Sequence, residues 1–145
     1  MLLPDTRSQE TQGAQGTDGT DLFVIDWELA QFGHRAYDIG QLLGDLLERK
    51  HFNGVDSALW VLHGFTRGYG VFSDDLAFRT AIHAGVHLIC WCTRGAPKDT
   101  PERVNGVIQL GKDFIVKGWE KDRKWFEGSL LAPMFSGEQV KSDDG

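Results

Sequence analysis

Two acidic residues near the N-terminus, Asp26 and Glu28, have the strongest chemical potential in this chain. Asp26 ends the apolar run Leu22-Phe23-Val24-Ile25, whose composition predicts a short buried strand. A carboxylate at such a strand end is held by rigid backbone while facing the mouth of a site. Magnesium and other hard cations take oxygen ligands of this kind, usually one or two carboxylates plus substrate phosphates. Asp26 is either such a ligand or an acid that satisfies loop N–H groups. Glu28 either shares a metal or phosphate-bound water, or bonds to nearby backbone. His34 and Arg35 follow in the next loop. Arg35 is a candidate phosphate contact, or a partner of Asp38 or another loop acid. His83, His87 and Cys90 stand at i, i+4 and i+7, a spacing that places three zinc-type donors along one helix. No fourth donor accompanies them, and partly buried, satisfied side chains are the preferred reading.

The elements that must position these residues are mainly helical. Residues 4–21 form a polar, glycine-containing segment expected to be a loop. A lone short strand at Leu22–Ile25 cannot satisfy its backbone: either it forms a minimal hairpin with Met1-Leu2-Leu3, or it is a strand whose fuller sheet needs residues outside these 145. From Gly33 onward the apolar period becomes helical. Arg35–Lys50 places Tyr37, Ile39, Leu42, Leu43, Leu46 and Leu47 on one broad face, with Asp38 near its start and Arg49, Lys50 and His51 at its end. A second helix spans Asp56–Tyr69, with Leu59, Trp60, Leu62, His63, Phe65 and Thr66 as facing candidates. Ser73 caps a third, Asp74–Trp91, with Leu76, Ala81, Ile82, Gly85, Val86 and Ile89 inward. Thr100-Pro101 starts a fourth that runs to about Lys117, with Val104, Val107, Ile108, Gly111, Phe114 and Ile115 on its apolar side. A short turn or helix over Glu120–Phe126 comes next. Trp119 and Trp125 either seal the helical region or form a protein contact, and sealing is the preferred reading. Residues 136–145 read as a frayed tail.

At 145 residues the chain is long enough for one core, and 41% apolar with 25% charged residues is ordinary for a globular domain. The net charge of −6 and the lack of a basic stripe argue against nucleic acid and against an anionic membrane surface. Cys90 and Cys92, two apart, do not form a CxxC unit and suit a reducing compartment. No long apolar run or leader-type segment is evident, so a cytoplasmic setting is expected.

The run Ile25-Asp26-Trp27-Glu28, then Gly33, then Tyr37-Asp38-Ile39-Gly40 resembles the aminoglycoside phosphotransferase/choline kinase-like family, a branch of the protein-kinase-like fold. The segments QLLGDLLERKHF and VKGWEKDRKWFEGS are most similar to fungal members. The resemblance covers about 22–135. It implies the C-terminal helical lobe of an α+β kinase-like fold. It also implies that Asp26 holds the metal bridging nucleotide phosphates, that Glu28 supports the metal site or backbone, and that Asp38 braces the catalytic loop. Magnesium and ATP are the family's cofactors, and a small hydroxyl-bearing molecule is its acceptor.

The departures are as informative. The family's His-Gly-Asp unit with its later Asn, its N-terminal-lobe Lys and its glycine-containing loop do not occur in these 145 residues. Met1-Leu2-Leu3-Pro4-Asp5 reads as though the chain starts just after that Asn. The expectation is therefore a partial phosphotransferase-like domain with no catalytic residues of its own. Neither magnesium nor ATP would be bound productively by this chain alone. The alternative is a non-catalytic interaction module, or pseudokinase fragment, whose exposed apolar surface is covered by a protein partner.

Overall fold

The computed structural model describes residues 32–92 and 99–136. The expected strand at Leu22–Ile25, the hairpin, Asp26, Glu28 and the tail from 137 onward lie outside the described residues. The chain divides into two units at Phe32/Gly33, and the helices belong to the second. Among the described residues there are helices and no strand. In chain order they are α1 (Ala36–Asn53), α2 (Ser57–Tyr69), α3 (Asp74–Trp91), α4 (Pro101–Glu120), α5 (Arg123–Glu127) and a 3-10 turn at Ala132–Met134.

Local chemistry sets most helix ends. The Ser73 hydroxyl accepts from the Leu76 N–H at 3.3 Å, and the Thr100 hydroxyl from the Arg103 N–H at 3.4 Å. Pro101 occupies the first turn of α4, where its missing N–H costs no helical bond. Gly54, at φ 64°, ends α1 and returns its N–H to the Lys50 carbonyl at 3.2 Å. The start of α1 departs from expectation. Asp38 lies in the first turn and is exposed, but Arg35 occupies the cap position without a side-chain bond. The Ala36 N–H instead donates to His34 Nδ1 at 3.2 Å. Asp38 retains only its favourable place in the helix dipole. Asp56, the expected first residue of the second helix, is its cap position and pairs with Lys50 rather than with backbone.

The largest correction concerns α4, which passes its expected stop at Lys117 and runs to Glu120. Gly118, just past that expected stop, stays within the helix. In the fold it is buried, because a Cβ there would meet Ile82 Cγ1 at 2.7 Å. The turn comes at Lys121 in the left-handed region (φ 55°), whose N–H donates to the Gly118 carbonyl at 3.3 Å.

Packing centres on α3, which has α1 on one side and α4 on the other. The two outer helices meet at their ends, where Arg103 Nη2 donates to the carbonyls of His51 (2.6 Å) and Phe52 (2.5 Å). α2 lies against α1 through Ala58, Leu62 and Thr66, one stripe at i, i+4 and i+8. Trp60 and His63 therefore face solvent, contrary to the sequence reading. Tyr37, Leu42 and Val86 are exposed for a related reason: two neighbouring helices cover a narrower arc than the apolar pattern allows. At the other end, Phe78, Phe114, Trp125, Phe126 and Phe135 form an aromatic cluster. Trp125 closes this cluster as expected, whereas Trp119, six residues earlier, is 82% exposed.

Candidate functional site

The segment that carries the motif leads directly into α1, so the site is built outward from His34–Asp38. His34 does two jobs. Its Nδ1 accepts the Ala36 N–H, and its Nε2 stands 3.7 Å from Asp75 Oδ2 at the start of α3. Asp75 also receives Arg79 Nε, one turn on, at 2.9 Å to each oxygen. That bond holds the Asp75 carboxyl below the usual carboxylate range. Arg35 does not pair with Asp38. Its guanidinium lies over the Tyr69 ring, 5.9 Å from the centroid.

Tyr37, at the start of the YDIG motif, is stacked on His83 of α3 with centroids 4.1 Å apart and planes tilted by 32°. Desolvation, with smaller contributions from the charges of His34 and Arg79, lowers the His83 pKa from its ordinary 6.5. His34, Tyr37, Asp75, Arg79 and His83 thus gather at the α1 start. The sequence singles out His34, Tyr37 and His83, but not their association. The Asp75/Arg79 pair was readable from its i, i+4 spacing. Which loop would meet it was not.

The sign of the His83 shift gives a testable outcome. The unfolded imidazole takes a proton near pH 6.5, and the folded one only at lower pH. Between those points the unfolded state binds more protons, so stability falls as pH falls through about 6.5. His83→Gln should make that decline shallower. Melting temperatures of both proteins between pH 7 and pH 5 check this, and parallel curves would refute it.

The structure separates the three zinc-type donors. His83 is engaged with Tyr37, Cys90 is an exposed free thiol, and His87 is 8% exposed against α1. His87 Nε2 lies 3.4 Å from Glu48 Oε2, within ion-pair range but without hydrogen-bond geometry, and its ring stacks on Trp91. No group of three or more His, Cys, Asp or Glu side chains among the described residues is arranged to hold a metal. Burial and the nearby Glu48 carboxylate push the Cys92 thiol up, away from the reactive thiolate. No helix among the described residues is long and apolar enough to cross a membrane.

Over 112 residues the chain is 32% identical to the phosphotransferase FrzJ of Cladobotryum sp.. The match takes in 77% of this chain and 29% of that protein. The chain is therefore similar to a phosphotransferase while spanning well under half of the relative's length. No family model matches it, and no solved structure matches it significantly.

Proposed function

We propose that residues 22–135 are the C-terminal helical lobe of a small-molecule phosphotransferase domain of the protein-kinase-like fold. The similarity to a phosphotransferase over 112 residues carries this reading. The order of its motif supports it too: an acid-bearing IDWE segment, a glycine loop, and YDIG opening a helix packed on the core. In this reading Asp26, supported by Glu28, would hold a magnesium ion, which would supply positive charge against the phosphates of ATP. Asp38, at the exposed start of α1, braces the loop that carries the catalytic acid. The acceptor is a small hydroxyl-bearing molecule, and the setting is cytoplasmic.

These 145 residues by themselves transfer no phosphoryl group in this proposal. Phosphoryl transfer depends on positioning nucleotide and acceptor and on neutralising phosphate charge. The His-Gly-Asp unit, its Asn and a nucleotide-cradling loop do not occur in the sequence given. The chain incubated with ATP, magnesium and a panel of hydroxyl compounds should form no phosphorylated product. Its calorimetric magnesium titration should show weak binding that disappears in Asp26→Ala. Turnover by the native chain that is lost in Asp26→Ala would overturn the inactivity. Identical magnesium titrations for both proteins would overturn the assigned ligand.

The exposure of Trp119 favours a second reading, a protein-interaction module. Trp119 is 82% exposed, with half-buried Ile82 and Ile115 and exposed Val116 beside it. An aromatic side chain of this size is a typical interface anchor. A pull-down should then retain a reproducible partner on the native chain and lose it with Trp119→Ala. Equal recovery with both proteins would remove this reading.

A further inference from the structure

We draw no further inference here: the strongest candidate, the apolar cavity between α3 and α4 lined by Ile82, Ile115, Val116, Trp119 and Glu120, carries nothing because its one carboxylate is already paired with Lys117 at 3.0 Å and nothing in the structure shows what covers it.

Discussion

Gly85→Ala should destabilise the chain by about 2 kcal/mol, and Gly85→Val by more, even though alanine is the better helix former. At the α3/α4 crossing the backbones themselves touch. A Cβ on Gly85 would lie 2.4 Å from the Gly111 carbonyl oxygen and 2.9 Å from Ile115 Cγ1. The reverse contact is nearly as tight, with a Gly111 Cβ 2.7 Å from the Gly85 carbonyl oxygen. Neither carbonyl is the end of a flexible side chain, so the helices must separate. Separation opens gaps around Leu88, Val107 and Phe114, all fully buried. Overpacking of this type costs about 1–3 kcal/mol, and occasionally more. The gain from helix propensity is at most about 1 kcal/mol and does not offset it. Gly64→Ala is the matched control. Nothing lies within 4 Å of a Cβ there, in the middle of α2, so it should stabilise by about 0.5–1 kcal/mol. Urea melts of the variants beside the native chain decide the matter. A Gly85→Ala midpoint at or above the native value would show that α3 and α4 do not cross as described.

Phe126→Ala should be comparably or more damaging, at about 3–5 kcal/mol. Phe126 belongs to a helix of five residues that cannot hold itself together. Its ring is fully buried, stacked on Phe135 (4.6 Å, 12°) and edge-on to Trp125 (5.0 Å, 87°). It also meets Phe78 of α3 at 6.0 Å and Phe114 of α4 at 6.1 Å. Removing it leaves a cavity at the point where four separate chain segments converge. The Asp122 cap and the Arg123 bonds to Asp74 (2.5 Å) and the Phe135 carbonyl (2.6 Å) remain, but they are partly exposed and do not compensate. Phe126→Leu, which keeps most of the volume, should lose clearly less. Equal losses for the two variants would assign the effect to aromatic geometry rather than to the cavity. A loss below about 1 kcal/mol for Phe126→Ala would mean that the C-terminal segment is not part of the core.

Most helix positions were legible because local chemistry decides them. The span of α3 follows from Ser73 before an acidic first turn and a long apolar pattern, and the structure reproduces it from Asp74 to Trp91. Thr100-Pro101 is equally local. The glycines divide: Gly85 and Gly111 fall on inner faces in the sequence pattern and are buried there, whereas Gly118 falls outside its expected helix. Gly118 instead continues α4 so that Ile82 can approach. Apolar pattern also overestimates burial on α3: Val86 belongs to its apolar set but projects between the helices that flank it.

The candidate site divides along the same line. The sequence by itself determined the order of the acids Asp26 and Glu28, then Gly33, then Asp38, and that a helix opens around Asp38. It also determined that three potential zinc donors lie on one helix. Tertiary structure alone decided what those side chains meet. It put Tyr37 on His83, His34 against Asp75 and Arg35 over Tyr69, and it turned His87 inward toward Glu48. The physical reason is that spacing along a helix specifies a direction around its own axis. What lies in that direction depends on which helix packs there, and at what depth, and here the close crossings of α3 with α1 and α4 set both.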